Sequence, residues 1–325
     1  MHASTFALSG RNFGQFVEYP ALDIGIDGPW LFWPTEPSPT LRRSLETHGQ
    51  LQPVLVDGSG SQPLLLAGRA RVLCLRDLQR PAFCLDLGAT DAWTRGVVSA
   101  QSNAGLEVGD GQAVAALRYF LGLDSGAALQ AFDILGVDPR SKRAGLLLSW
   151  LELPPVWDGL LLAGHVPLAG ADALRAMGPD DLAELLPLFG GFSWSRGNAL
   201  NLLNWLRETG ARNRCSVRSL LQEAGAAAAI AAGLSPKDAM ARIVGEVRRL
   251  RYPRLDSMER NFADAAKAMT AGTAWRLTQP DQFESNGVEL SLRVKDRAAL
   301  GRAVHDLVDM AGRAEWERLF SGDNQ

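Results

Sequence analysis

The stretch Leu41–Leu85, LRRSLETHGQLQPVLVDGSGSQPLLLAGRARVLCLRDLQRPAFCL, decides how this chain folds, because it carries helix, strand, strand and helix signals at short spacing. In its first part Leu41, Leu45 and His48 share one helical face, with Arg42, Arg43 and Glu46 beside it. Gly49 supplies the left-handed residue that ends a helix, and Pro53 forbids its continuation. The apolar runs PVLV and LLLA flank the turn chemistry of DGSGSQP, which predicts a strand pair or hairpin. After Gly68, RARVLCLRDL places Val72, Leu75 and Leu78 inward and Arg69, Arg76 and Asp77 outward, and Arg76 and Arg80 read as surface residues. This predicts a helix opening at a glycine turn, a geometry that leaves backbone N–H groups free to meet an anion. Pro81–Asp86 reads as a further short strand, and DAWTRGVVSAQSN as a helix capped by Asp91.

Working outward, the 325-residue chain is long enough for two or three domains, and 46% apolar content is ordinary for globular protein. A net charge of −3 confines any nucleic-acid surface to a local patch. Cys74, Cys84 and Cys215 form no CxxC pair and no metal-ligand grouping with the histidines, so neither zinc nor a disulfide framework is expected. A basic segment followed by an apolar run is missing from the start of the chain, and no apolar run reaches membrane-spanning length. The expected location is cytoplasmic, without a membrane. Neither a Ser-His-Asp grouping, nor paired carboxylates, nor a Walker-type glycine loop marks another catalytic class.

Residues 1–40 are rich in proline and glycine and read as an extended arm whose Trp30, Phe32 and Trp33 pack onto the first domain. From Asp110 to Glu208 the pattern is helical. There AALQAFDILGV and DPRSKRAGLLLSWLEL have the form of a helix-turn-helix, with Gly136 in the turn and Asp138 and Pro139 opening the second helix. Arg140, Ser141, Lys142 and Arg143 then stand where base and phosphate contacts arise, while Leu147, Leu148 and Leu151 form the buried face. The same residues also suit a plain helical bundle with a solvated basic turn. GGFSWSRGN reads as a loop within the helical region, and an alanine-rich helical stretch follows. Arg242, Arg248, Arg249, Arg251 and Arg254 lie within thirteen residues with only Glu246 between them, the densest positive run available, and Pro253 stops that helix. Near the end, Val288, Leu290, Leu292 and Val294 alternate with polar residues, Thr273, Trp275 and Leu277 form a partner strand, and Leu300, Val304, Leu307 and Val308 give a covering helix. Two strands and one helix hold too little core to stand alone, so this segment is expected to make a homodimer.

The order of these elements, with GQLQP in the first turn and AGRAR in the second, resembles the ParB family of DNA partition proteins, whose N-terminal fold is shared with sulfiredoxin. Gly49, Gln52 and Pro53 match the family's first motif, and Gly68 and Arg71 match its second. Arg69 stands where the family has glutamate, and Ala70 and Leu73 stand where it has arginines. In the third motif Ala100, Gln101 and Ala104 replace glutamate, asparagine and arginine. LELPPVWDGLLLAGHVPLAGADALRAM resembles the family's middle domain, with Ala169, Gly170, Ala171 and Asp172 in place of Gly-His-Ala-Arg. The resemblance implies CTP binding with magnesium and slow hydrolysis at Gly49, Gln52, Pro53, Gly68, Arg69 and Arg71. The replaced residues predict that CTP binding is weakened or lost, since a triphosphate needs charge-assisted contacts. A sulfiredoxin-type cysteine is not expected, because Cys74 lies well inside the helix.

The expected fold is therefore α+β: an arm over 1–40, a ParB/sulfiredoxin-like domain over 41–108, a helix-turn-helix domain over 109–225, an arginine-rich helical connector over 226–271 and a ββα dimerisation module over 272–325. The expected function is binding of double-stranded DNA in chromosome or plasmid partition, or in transcriptional control derived from it, by a nucleoid-associated protein, with a ParA-type ATPase as an implied partner. Arg140, Ser141, Lys142, Arg143, Arg248, Arg249 and Arg251 are the expected DNA contacts, with no catalytic residue and no resident metal. Two alternatives stay open: an interaction scaffold that has lost DNA and nucleotide recognition, and a CTP-hydrolysing DNA clamp.

Overall fold

The computed structural model describes residues 14–34, 36–192, 194–281, 283 and 287–316; the first part of the expected arm and residues 317–325 lie outside them. The fold is mixed α+β, mostly helical with a small sheet, and divides into two compact units, Met1–Leu203 and Asn204–Gln325.

The first unit opens with β1 (Gln15–Pro20), α1 (Pro39–His48), β2 (Val54–Asp57), β3 (Leu64–Ala67), α2 (Arg69–Asp77), β4 (Pro81–Asp86) and α3 (Ala92–Gln101). The strands lie in the order β1-β4-β2-β3; β1 and β3 are antiparallel to their neighbours, whereas β2 and β4 run parallel. Local chemistry sets the boundaries. Ser38 caps α1 through the Leu41 N–H, Pro39 occupies its first turn, and Gly49 ends it at φ 73°. Leu45, Val54, Val56, Leu65, Val72, Leu75 and Cys84 are fully buried together between the sheet and the two helices. His48, expected on that buried face, is exposed; it stands in the last turn of α1, beyond the packed part and beside the carbonyls its ring can complement.

Arg76 and Arg80 are not idle surface residues. Arg76 donates Nε to Ala21 O at 2.9 Å and Nη2 to Ile24 O, and Arg80 donates Nη1 to Leu45 O at 2.9 Å. The carbonyls of an irregular arm and a helix end have no ladder partner, and a long guanidinium reaches them. The arm is fastened again where Trp30 Nε1 donates to Leu65 O at 2.8 Å and the Phe32 ring packs on Tyr119 and Phe120. Its β1 pairs with β4 from Gln15 opposite Asp86 to Pro20 opposite Pro81.

Asp57, at the end of β2, is 1% exposed. Its Oδ2 accepts from Thr90 N at 2.9 Å, Thr90 Oγ1 at 2.6 Å and Arg95 Nη2 at 3.1 Å, and its Oδ1 accepts from Ser59 N and Oγ. Burial pushes this carboxyl's pKa up, but the hydrogen bonds from Ser59 and Thr90 outweigh it and hold it well below the usual carboxylate range. The Arg95 guanidinium also stacks 5.0 Å from the Trp30 ring centroid, joining strand, arm and α3.

The unit continues with α4 (Asp110–Leu123), α5 (Ala128–Ile134), α6 (Lys142–Leu151), α7 (Val156–Leu162), α8 (Ala171–Arg175) and α9 (Pro179–Gly191), and α10 (Arg196–Asn213) crosses into the second unit. There follow α11 (Val217–Glu223), α12 (Ala226–Ala231), α13 (Pro236–Arg251), α14 (Pro253–Thr270), β5 (Arg276–Thr278), β6 (Glu289–Ser291) and α15 (Arg297–Ala311). Pro253 ends α13 as expected and also opens α14 as its first residue. The strands β5 and β6 are shorter than the alternation suggests. On α15 the buried residues are Ala303 and Met310, and Trp275 Nε1 donates to Ala303 O at 2.9 Å. Leu300, Val304 and Val308, expected to cover the sheet, are instead exposed at 49%, 54% and 66%.

An unfolded aspartate titrates near about 3.9, above the folded value for Asp57, so its stabilisation is complete near neutral pH and fades as the pH falls below about 4. Asp57→Asn is expected to lower the unfolding free energy by about 3 kcal/mol at pH 7, with the gap to wild type narrowing by about 1 kcal/mol at pH 3. Urea unfolding followed by tryptophan fluorescence measures both; a gap that does not depend on pH contradicts a charged Asp57.

Candidate nucleic-acid interface and anion pocket

The helix-turn-helix expectation falls on α5 and α6, and α4 packs against both. Ala131 and Phe132 of α5, and Ala144, Leu147 and Trp150 of α6, are buried with Val114, Leu117 and Phe120 of α4. Gly136 takes φ 65° in the connection, a left-handed position that glycine fills without strain. Asp138 does not cap α6. Its carboxylate accepts from Arg140 N at 2.9 Å and its carbonyl from Ser141 N, which closes a separate turn around Pro139. Ser141 is the cap, its Oγ accepting from Ala144 N at 3.1 Å, so the helix starts at Lys142. The buried positions of α6 are 144, 147 and 150, a spacing that turns Leu148 outward to 42% exposure.

The four expected contact residues thus separate into different roles. Arg143 turns back, donating Nε to Asp110 Oδ1 at 3.0 Å and Nη2 to Val108 O at 2.5 Å, and so fixes the start of α4. Ser141 is used as a cap. Arg140 and Lys142 are exposed and have no carboxylate partner among the described residues. At the other end of α6, Arg118 donates Nε to Asp158 Oδ2 at 2.5 Å, Nη1 to Leu151 O at 3.2 Å and Nη2 to Leu153 O at 2.8 Å. Trp150 Nε1 adds a bond to Asp158 Oδ1 at 3.0 Å. The helix bearing Lys142 is held at both ends.

In the second unit the arginine run is largely neutralised. Arg248 meets Glu259 with two bonds of 2.8 Å, Arg251 meets Glu208 at 2.8 Å, and Arg249 meets Glu246 at 2.5 Å. The hydrogen bond from Arg248 holds the Glu259 carboxyl below its ordinary pKa, as expected of a bidentate pair. Arg251 also covers the Tyr252 ring at 4.7 Å. Glu208 comes from a distant part of the sequence and Glu259 from the following helix, so a run that looked like an open patch is largely a set of ion pairs. Among its members Arg242 and Arg254 stay exposed without a carboxylate among the described residues.

The residues expected to hold a nucleotide come together in part. Arg71 donates Nη1 to Gln52 O at 3.0 Å and to Pro53 O at 2.5 Å, which ties the first turn of α2 to the turn before β2. Gly68 takes φ 101°, and a Cβ there would meet Val54 Cγ1 at 2.8 Å, so only glycine serves. Gly49 caps α1 and does not line the space that follows. That space is a cavity of about 200 Å³ whose walls include Gly68, Arg69 and Arg71. Sequence reasoning missed its other side, where Ser99, Ser102 and Asn103 line it from the end of α3; the polar run SAQSN was the available signal. Magnesium–CTP does not fit these residues. Sites for drug-sized ligands begin at roughly 300 Å³, the lining contains no carboxylate for a metal, Arg71 is committed to carbonyls, and Arg69 pairs with Glu36 at 3.1 Å. Among the described residues no cluster of three His, Cys, Asp or Glu could hold a metal ion, and no helix is long and apolar enough to cross a membrane.

No protein-family profile matches the chain, and no curated protein matches it. Among solved structures, the crystal structure of the C-terminally truncated chromosome-partitioning protein ParB from Caulobacter crescentus, complexed to the centromeric parS site, aligns at 15% identity with a TM-score of 0.33. The alignment covers 58% of this chain and 98% of that one. A likeness of that size does not establish a shared fold.

Calorimetric titration of the full chain with CTP and magnesium is expected to give no binding at concentrations up to about 1 mM, weaker than about 4 kcal/mol. Micromolar binding would show that the committed arginines release their carbonyls and that another residue supplies the metal.

Proposed function

We propose that this chain binds duplex DNA as a homodimer, in a partition-like or regulatory role, through the opening turn of α6. The observation that supports the reading is the contrast among its cations. Arg143, Arg248, Arg249 and Arg251 are neutralised by carboxylates, whereas Arg140 and Lys142 stand exposed at the start of a helix clamped at both ends. A rigid helix that presents two uncompensated cations beside its N-terminal N–H groups suits phosphates that border a groove. The chain motifs around Gly49, Gln52, Pro53, Gly68 and Arg71 that resemble the ParB family point the same way.

Pairing of two copies falls to α15, where Leu300, Val304 and Leu307 follow the spacing of a coiled-coil seam and Leu300, Val304 and Val308 are exposed. Replacing Leu300 and Val304 together by Glu is expected to give monomers in sedimentation without unfolding the chain. A dimer of unchanged affinity would rule out this face.

Two cations in each of two copies neutralise about four phosphates, so the logarithm of DNA affinity is expected to fall against the logarithm of salt with a slope of roughly −3.6. Arg140→Ala with Lys142→Ala is expected to remove most of that slope, whereas Arg43→Ala, exposed and without an ionic partner among the described residues, leaves it unchanged. Fluorescence anisotropy with labelled duplex across a salt series measures this. A double variant with unaltered affinity and slope would favour the interaction-scaffold reading instead.

A further inference from the structure

The small sheet has two edges, and the chain treats them differently. The β3 edge is closed by the arm: Gly25 N donates to Pro63 O and Leu65 N to Gly25 O, both at 2.8 Å, and Trp30 Nε1 follows at Leu65 O. The β1 edge is open, and two observations fix which groups it presents. Antiparallel partners alternate between bonded and non-bonded pairs, and Pro20 opposite Pro81 is a non-bonded pair because neither residue has an N–H. Counting back, Gln15, Val17 and Tyr19 bond β4, whereas Phe16 and Glu18 turn their N–H and C=O groups away from the sheet. Phe83, opposite Glu18, has the same phase: its N–H donates to Gln50 Oε1 at 2.7 Å and its carbonyl accepts from Gln50 Nε2 at 2.6 Å, so neither group is spent on β1. No described residue bonds the outward groups of Phe16 and Glu18.

The side chains of this edge are apolar where an edge strand is usually charged. Phe16, 62% exposed, lies flat on Phe83, with ring centroids 5.1 Å apart and planes 6° apart. Both rings stand on the face of the sheet opposite Ala82 and Cys84 of the core. Glu18 is the only charge on β1 and has no ionic partner among the described residues. The strand is complementary to itself about Val17. With a two-fold axis there, Phe16 falls opposite Glu18 of a second copy, and their outward groups exchange four main-chain hydrogen bonds across the two symmetric pairs. Val17 meets its own copy at a close non-bonded position, a favourable place for a β-branched pair. The two Phe16 rings become diagonal neighbours, which extends the Phe16–Phe83 stack to four rings. An axis at Glu18 would set two carboxylates side by side, and an axis at Phe16 would leave Tyr19 and Pro20 without a partner in β1.

We propose that β1 pairs antiparallel with β1 of a second copy about a two-fold axis at Val17, joining two four-stranded sheets into one of eight strands. Six residues and two rings from each copy bury less than the roughly 1,200 Å² of a standard interface, so the contact is weak and reversible, with a Kd of about 0.1 mM. β1 belongs to the first unit and α15 to the second, so this contact and the α15 seam fail independently. Where both hold, β1 links pairs that α15 has already made.

The test uses the full chain with Cys215→Ser, which leaves only the buried Cys74 and Cys84 as native thiols. A non-bonded antiparallel pair holds its Cα atoms about 4.5 Å apart, within disulfide reach. Val17→Cys is therefore expected to give a covalently linked pair on mild oxidation, seen on a non-reducing gel. Leu22→Cys, 70% exposed but outside the strand, is expected to stay single. A charge exchange tests the register by sedimentation across concentration, whether the starting species is one chain or a pair joined by α15. Phe16→Glu, a change at an exposed side chain, sets a carboxylate opposite Glu18 of the other copy and is expected to weaken association at least about tenfold. Adding Glu18→Lys to the same chain sets opposite charges face to face and is expected to restore the association to within about threefold. No linkage at position 17, equal linkage at positions 17 and 22, or a double variant no stronger than Phe16→Glu would overturn the proposal, and Glu18 and Pro20 would then be guards of a solvated edge.

Discussion

The buried carboxylate of Asp57 is the contact on which the first unit depends. A charge 1% exposed is tolerable only if every lone pair is met, and here Ser59, Thr90 and Arg95 meet them from three different segments. Ser59 fixes the turn after β2, Thr90 fixes the approach to α3, and Arg95 fixes α3 itself. Because Arg95 also stacks on Trp30, the same charge secures the arm that carries Leu31 and Trp33 to the cavity wall. Ser99 lies one helical turn beyond Arg95, so its place in the cavity is set by the same anchor.

Arginine is used mainly inside this molecule. Arg71, Arg76, Arg80 and Arg118 spend their N–H groups on main-chain carbonyls of arms, turns and helix ends, positions that no regular ladder satisfies. Arg143 and Arg251 meet carboxylates brought from far along the chain, and Arg248 meets one from the next helix. The guanidinium suits both tasks because its donors are fixed in a planar fork that reaches well beyond its own backbone. A density of arginine in sequence is therefore a poor measure of positive surface here. Subtracting the committed side chains still leaves exposed cations in several places among the described residues, and the pair at the start of α6 is notable because its helix is held by side-chain bonds at both ends.

The central stretch of sequence was legible because each signal in it is local. Gly49, Pro53 and Gly68 act through their own backbone angles, the DGSGSQP turn through its flanking strands, and Asp91 through an N–H three residues away. Two of the errors share one cause, that partners lay elsewhere in the chain. Nothing near Arg248 announces Glu259 from the next helix, and nothing near Arg76 announces the carbonyls of Ala21 and Ile24. Asp138 and Ser141 are both good caps at close spacing, and the chain uses them in series, one for a turn and one for α6. On α15 the periodicity was right and its direction wrong: Ala303 and Met310 are buried, and Trp275 bonds the Ala303 carbonyl on that face. The cavity was half legible, its glycine turn through a motif and its other side only through the polar run SAQSN, since a serine in a helix carries no mark of what it faces.

The cavity and the basic turn of α6 are joined by a short path within the first unit. Ser102, Asn103 and Leu106 line the cavity and lie on the segment that leads from α3 to Val108 and Asp110. Arg143, next to Lys142, grips both Val108 O and Asp110 Oδ1. A second joint lies beside the first, where Gln101 Nε2 donates to Ile134 O at 3.0 Å and ties the end of α3 to the end of α5. The neutralised Arg143, which looked like a lost DNA contact, is the side chain that ties the start of α6 to the segment between α3 and α4.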